Sequence, residues 1–314
     1  MRYWWVNHKQ TARQEIGGNY LWSPKREASG ARSRFYDNMR AATPGDFILS
    51  YASALIRHVG TVVDFAVPSL KPKEFLNTGE NWAHEGWLLP VRWQPLTNPI
   101  RPKDRIGELG PLLPKKYSPI HRDSGNGNQK AYLAEIAPSV FDLLLQQGPS
   151  SHHELTTFSS DGAPFERFDA MVEDSIANDS GLDATTKKQL VLARKGQGLF
   201  RDRVSEIERA CRLTRIENPL LLVASHVKPW RVCGTAAERL DGSNGLMLAP
   251  HVDRLFDRGF ISFEKSGEVI LSPRLARADL LRLGLVDACN QNCGSFTDRQ
   301  ATFLEFHQAH VLLP

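Results

Sequence analysis

The chain has 314 residues, 41% of them hydrophobic and 24% charged; this is long enough for two domains with cores of their own and excludes the disordered and fibrous classes. The formal net charge of +4 is unevenly spread: Lys and Arg outnumber Asp and Glu by six in residues 1–145 and fall short by two in the remainder, a surplus compatible with a polyanion partner without establishing one. No apolar run approaches the roughly 18 residues of a membrane span, and Met1-Arg2-Tyr3-Trp4-Trp5 lacks the order of a signal peptide, so a cytoplasmic protein with no membrane contact is expected.

In chain order, apolar stretches at Tyr3 to Val6, Phe47 to Tyr51, Ile56 to Val67 and Trp87 to Trp93 are punctuated by Gly, Pro and Asn, which predicts a small β-rich domain, a curved sheet or barrel. A helix near Arg32 to Arg40 packs on it, and Pro44-Gly45-Asp46 turns the chain into the next strand. Gln146 to Ala163 is polar, turn-rich and without periodicity, a linker by composition. Helices are predicted over Phe165 to Ala177 and Ala184 to Arg194, the second opened by Asp183 as N-cap. From Leu220 the pattern reads strand, loop to Gly242, strand from Gly245, then helix from Pro250 to Asp257 with Gly259 after it. Phe260 to Phe263 and Val269 to Leu271 flank Lys265-Ser266-Gly267-Glu268 as a closing hairpin. Thr297 and Gln300 fit a capping box for a last helix whose Phe303, Phe306 and His307 read as packing. The expected organisation is a domain over 1–145, a helical linker over 146–198 and a second domain over 199–314.

Cys211, Cys233, Cys289 and Cys293 contain no CxxC pair, which points to free thiols in a reducing compartment. No GxxxxGK[ST] motif occurs, so ATP is not expected as a cofactor.

One constellation carries chemistry. Ser225-His226 ends the first C-terminal strand, Asn244 opens the second 18 residues later, and His251 and Asp253 follow in the helix. Two short strands and a helix can bring these to one side. Cutting a phosphodiester needs a water, a group to take its proton, and positive charge against the phosphate; a neutral His does the second job near pH 7, and a divalent metal held by one or two side chains does the third.

The blocks Ala224-Ser-His-Val-Lys-Pro-Trp230, Asp241-Gly-Ser-Asn-Gly-Leu-Met-Leu248 and Pro250-His-Val-Asp-Arg-Leu-Phe-Asp257 resemble the HNH (ββα-metal) endonuclease family over about 60 residues. The resemblance implies His226 as general base, Asn244 as loop organiser, and His251 or Asp253 as ligand to a divalent metal, Mg²⁺ or Mn²⁺ or another transition metal. His251 is also carried as a catalytic residue. Ser225 stands where many members have a metal ligand, and Cys211-Arg-Leu-Thr214 keeps a single cysteine where other branches have a zinc knuckle, so no structural zinc is expected.

The first 140 residues or so resemble the EVE branch of the PUA superfamily, through Tyr3-Trp4-Trp5-Val6-Asn7, Gly18-Asn-Tyr-Leu-Trp-Ser-Pro-Lys25, Phe35-Tyr-Asp-Asn-Met39 and Pro44-Gly-Asp-Phe-Ile-Leu-Ser-Tyr51. The fold expected is therefore α+β: a PUA-like (EVE) β-barrel, a helical linker and a C-terminal HNH domain. Such domains are associated with a modified base in an aromatic-walled pocket. The fusion implies a modification-dependent restriction endonuclease that flips and reads modified cytosine (5-methyl or 5-hydroxymethyl) in double-stranded DNA. Trp22, Tyr36, Trp82 and Trp87 are candidate walls, Ser23 and Asp37 candidate edge readers, and Trp22 leads because Gly17-Gly18 and Ser23-Pro24 around it read as a loop. Lys25, Arg32, Lys115, Lys116 and Arg122 are candidates for the DNA backbone. One HNH site cuts one strand, so a homodimer is expected. A non-catalytic reader, kept open by Ser225, and an RNA-directed nuclease are the competing readings.

Overall fold

In a computed structural model that describes residues 1–145, 170 and 172–314, the apolar runs of the N-terminal part become one mixed sheet of seven strands. The strands are β1 (Tyr3–Asn7), β2 (Tyr20–Pro24), β3 (Phe47–Ala52), β4 (Leu55–Val62), β5 (Val67–Leu70), β6 (Glu85–Ile100) and β7 (Leu133–Ile136). Their order is β2-β6-β4-β3-β1-β7, with β5 also on β6. β1 runs parallel to β3; the other pairs are antiparallel. The sheet curls into a half-barrel whose ends, β2 and β7, are not joined. Helices α1 (Ala12–Gly18), α2 (Arg34–Ala41), α3 (Ile106–Leu112) and α4 (Pro138–Leu145) complete this unit.

Two expectations change here. The segment around Trp22, expected as a loop, is the strand β2, and Gly17 and Gly18 end α1. The Trp87 to Trp93 run extends to sixteen residues because β6 serves two neighbours, β2 and β5 along its first part and β4 along its second. A strand paired on both sides at one end and handed to a new partner at the other outlasts the prolines that signalled its end.

Asp46 fixes the start of β3. Gly45 before it takes a left-handed φ of 90°, as the turn requires. The fully buried Asp46 carboxylate then accepts from Arg2 N (2.7 Å), Trp4 Nε1 (3.0 Å) and Thr43 N (3.0 Å), tying the N-terminus to the turn.

The chain divides into two compact units, Met1–Arg167 and Phe168–Pro314. The linker expected over 146–163 and the opening of the helix expected over 165–177 lie outside the described residues; residues 172–177 are helical. Next come α5 (Ala184–Arg194), capped by Asp183 accepting from Thr185 N and Thr186 N, and α6 (Gly198–Ile207). A tight knuckle follows, in which Cys211 N–H donates to Ile216 O (2.9 Å) and Arg215 N–H to Cys211 O (2.8 Å).

The unit's centre is β8 (Val223–His226), α7 (Ala236–Arg239), β9 (Gly245–Leu248) and α8 (Pro250–Asp257), with the antiparallel pair β10 (Ile261–Phe263) and β11 (Val269–Leu271) behind. Pro250 sits in the first turn of α8, and Gly259 beyond it has φ 73°. Helices α9 (Arg277–Arg282), α10 (Val286–Cys289) and α11 (Asp298–His310) close the unit. The capping box of Thr297 and Gln300 forms, and Gln300 Nε2 also donates to the buried Glu208 carboxylate (2.7 Å). His307 and Phe303 pack into the core, whereas Phe306 lies under the Lys228 ammonium at 5.0 Å. All four cysteines are free and buried, and no described helix is long and apolar enough to cross a membrane.

Asp46→Ala would leave three donors of the N-terminal turn without an acceptor. A cost of about 3 kcal/mol or more is expected, lowering the unfolding midpoint of the first unit by about 6–12 °C in calorimetry, with partial recovery in Asp46→Asn.

Candidate functional site

β8 and β9 pair so that His226, the last residue of β8, faces Gly245, the first of β9. A side chain at 245 would meet Val204 Cγ2 at 2.3 Å and Phe200 Cζ at 2.8 Å, so only glycine lets α6 press against this end of the ribbon. The Phe200 ring then stacks flat on the His226 imidazole, with centroids 3.7 Å apart and planes 6° from parallel.

His226 Nε2 lies 2.9 Å from the backbone oxygen of Arg239. A carbonyl only accepts, so Nε2 carries the hydrogen and Nδ1 keeps its lone pair. Burial lowers the ring to about 4, helped by the Arg239 charge and opposed by the carbonyl bond. The imidazole is therefore neutral at pH 7, with its basic nitrogen determined by the backbone.

Asn244 shapes the loop that supplies this carbonyl. Its side chain is fully buried; Oδ1 accepts from Lys228 N (2.8 Å), and Nδ2 donates to Glu238 O (3.2 Å) and Lys228 O (3.3 Å) and contacts Cys233 Sγ at 3.4 Å. Its own carbonyl accepts from Val227 N at 3.0 Å. Lys228 and Glu238 pair at 2.7 Å across the same loop, and burial pushes the Cys233 thiol up to about 12.

On α8, His251 and Asp253 are partly exposed. Burial raises the Asp253 carboxyl; the Ser225 hydroxyl donating to it acts the other way, and Asp257, one turn further along the helix, adds to the rise. The position before His226 thus supplies a hydroxyl to a carboxylate. Asp257 is the residue that sequence reasoning missed, although the spacing Asp253-x-x-x-Asp257 was there to read as one helix face. Among the described residues no three His, Cys, Asp or Glu side chains converge as a metal cage. What is present, one desolvated carboxylate with a second nearby and a hydroxyl beside it, is an all-oxygen set. It fits a hard divalent cation that keeps waters and takes the rest of its shell from substrate phosphate.

In the first unit the candidate residues separate. Trp22 is buried in β2, its ring stacked on Trp82 (6.2 Å, 27°) and edge-on to Phe75 (5.8 Å). Ser23 pairs with Trp87 in register, and strand alternation puts that pair on the opposite face, where Trp87 belongs to the core with Lys25 and Arg40 over its ring. Trp22 and Trp87 therefore do not wall one pocket. Trp22 Nε1 and Ser23 Oγ are both buried without a hydrogen-bond partner. Tyr36 meets Tyr132 edge-on at 6.4 Å, and Asp37 is paired with Arg32 at 3.1 Å on the surface. Lys25 is paired with Glu85 (3.1 Å), Arg122 Nε donates to Gly110 O (3.0 Å), and Lys115 and Lys116 are exposed.

A buried network behind Trp22 gave no sequence signal. Glu15 Oε1 accepts from Trp22 N (2.9 Å) and Tyr132 OH (2.6 Å), Glu15 Oε2 meets His8 Nδ1 (2.6 Å), and His8 Nε2 meets Ser50 Oγ (2.8 Å).

Residues 211–264 match the HNH endonuclease family, an interval that holds His226, Asn244, His251, Asp253 and Asp257. No curated protein is a match. Solved structures similar to the chain include a protein from Rhodopseudomonas palustris (15% identity, 49% of this chain and 98% of that one, TM-score 0.31). Another is the Toxoplasma CPSF4 YTH domain in complex with a 7-mer m6A-modified RNA (17% identity, 50% and 97%, TM-score 0.31). A third is the N-terminal domain of Staphylothermus marinus McrB (12% identity, 46% and 94%, TM-score 0.30).

His226 and His307, the latter held down to about 3 by burial, are both neutral in the folded protein. An unfolded chain protonates its histidines near 6.5, so their contribution is complete above that pH. It is lost as pH falls from there through the folded values, because only the unfolded state takes up protons in that window. Urea midpoints from pH 7 to 4 should decline more steeply for the wild type than for His307→Gln; equal slopes would show that His307 does not stay neutral.

Proposed function

We propose that this chain is a modification-dependent DNA endonuclease, in which the C-terminal unit hydrolyses the backbone and the N-terminal unit reads modified cytosine. The observation that carries the nuclease half is the His226 tautomer: Nε2 is committed to the Arg239 carbonyl, so Nδ1 is the atom that takes the proton of the attacking water. In that step the water oxygen bonds to phosphorus, the bond to the departing oxygen breaks, and the water proton passes to His226 Nδ1. A divalent metal, when bound by Asp253 with Asp257 or His251 nearby, supplies positive charge against the phosphate. Asn244 keeps the Arg239 carbonyl in place through the neighbouring Glu238 carbonyl. Ser225 orients the Asp253 carboxylate. ATP has no part in this chemistry.

The reader half rests on the Trp22 face of β2. The Trp22 and Trp82 ring centroids are 6.2 Å apart with planes 27° from parallel, and a base held between them needs parallel planes about 7 Å apart, two van der Waals spacings. They must align and part to admit a flipped cytosine, whose stacking returns about 1–3 kcal/mol against an unstacking cost of a few kcal/mol. The unpartnered Trp22 Nε1 is a donor available to such a guest once the rings open. In the first unit the exposed Lys115 and Lys116 would meet phosphates, and a homodimer would place two nuclease sites on one duplex.

Matched plasmids with plain or modified cytosine, incubated with Mg²⁺ or Mn²⁺, test both halves. The wild type should cut only the modified plasmid, and His226→Ala should lose about 10²–10⁴-fold in rate while still binding it. Equal cutting of both plasmids removes the reader half. No cutting favours a non-catalytic reader, and cleavage of structured RNA in preference to DNA favours an RNA-directed nuclease. The acid limb of the rate profile should have its midpoint near 4, the value to which burial lowers His226; a midpoint at the ordinary histidine value would mean that another group takes the proton.

A further inference from the structure

Beside α8, the knuckle and the two short helices α9 and α10 bound a cavity of about 380 Å³ that shares only His251 with the proposed reaction. Its lining includes Arg212, Thr214, Arg215, His251, Asp287 and Gln291. His251, one of the candidate metal ligands, lines the cavity from α8, the helix that also carries Asp253.

The polar groups of this cavity differ in how far they are already committed. Arg212 is fully engaged, by the Glu208 carboxylate (2.6 Å and 2.8 Å) and by the Gly294 and Ser295 carbonyls, over the Phe296 ring. Arg215 is not: among the described residues its side chain makes no ion pair or hydrogen bond, and it is exposed. Its backbone is held at φ 58°, in the left-handed region that a side chain rarely adopts. The knuckle bonds at Cys211 and Ile216 hold it there, with Arg215 in the lining of the cavity. Thr214 Oγ1, next to it, is buried without a partner. Also in the lining, Asp287 can only accept hydrogen bonds, and the Gln291 amide both donates and accepts.

We infer that this cavity seats one nucleotide of the substrate strand, beside the helix that carries the candidate metal ligands. Arg215 takes its phosphate, and Asp287 with Gln291 meets its base edge; this rests on the nuclease reading of the C-terminal unit. A bare phosphate is the poorer fit. A carboxylate in the same lining repels an anion that fills the space, whereas the amino group of a base gives that carboxylate a donor. The volume agrees, since it falls in the range of pockets that take a ligand of nucleotide size.

The test uses the full chain with Arg215→Gly, Arg215→Lys and Asp287→Asn. Glycine relieves the left-handed backbone at 215, so a loss in that variant does not come from unfolding. Equilibrium binding of a modified-cytosine duplex is measured without metal over a range of salt. Arg215→Gly should weaken it about tenfold and reduce the salt slope by about one phosphate contact, with Arg215→Lys recovering most of both. With metal, Asp287→Asn should alter the base preference at one position flanking the cut in sequenced ends while His226 still supports cutting. Binding and salt slope unchanged within about twofold in Arg215→Gly, with cut-site flanks also unchanged in Asp287→Asn, would overturn the seat and leave the nuclease standing. A wild type that never cuts would remove the nuclease reading, and the metal-free binding comparison would still decide for or against the seat.

Discussion

The hydrogen bond from His226 Nε2 to the Arg239 carbonyl is the contact around which the C-terminal unit is arranged. It spans thirteen residues of chain, and a loop of that length does not hold a carbonyl to hydrogen-bonding accuracy by itself. Asn244 braces the loop at Lys228 and Glu238, and the Lys228–Glu238 ion pair crosses it. Thr235 caps the single turn of α7, and the Arg239 guanidinium is turned back onto the Trp230 carbonyl and ring. Phe200 presses the imidazole from the other side and removes the water that would otherwise favour its charged form. Each of these groups fixes one atom's position, and together they leave a single nitrogen with a lone pair.

Much of this was legible because it is local. The helix from Pro250 to Asp257, the hairpin after it, the Asp183 cap and the Thr297–Gln300 capping box each depend on residues within a few positions of one another, and the structure has them where the pattern put them. The order of Ser225, His226, Asn244, His251 and Asp253 was readable for a related reason: a ribbon of two short strands and one helix has few ways to fold. The acceptor for His226 was not readable. A backbone carbonyl has no identity in a sequence, and its selection depends on the path of the whole loop.

The first unit was harder for the opposite reason. The glycines and proline around Trp22 are ordinary turn signals, and what overrides them is pairing with β6, a strand more than sixty residues away. That pairing also settles which aromatics share a face, because alternation along β2 sends Trp22 and Ser23 to opposite sides. The interior of the half-barrel was less accessible still. Glu15 reads as one polar residue of a short helix, yet its carboxylate gathers Trp22 N, Tyr132 OH and His8 from three separate parts of the chain. A buried carboxylate held by three partners is stable only when all of them arrive together, and no one segment reveals that they will.

The choice of a main-chain acceptor for His226 has a genetic side. Where a side chain orients a catalytic imidazole, that side chain can be lost by one substitution. Here, Arg239→Ala would remove the guanidinium from the Trp230 carbonyl and ring but leave the 239 carbonyl in the chain. The orienting group is thus hidden from an alanine scan and protected from most missense change. The vulnerability is moved to Asn244 and to the length of the loop, where a one-residue insertion would do what no replacement at 239 can.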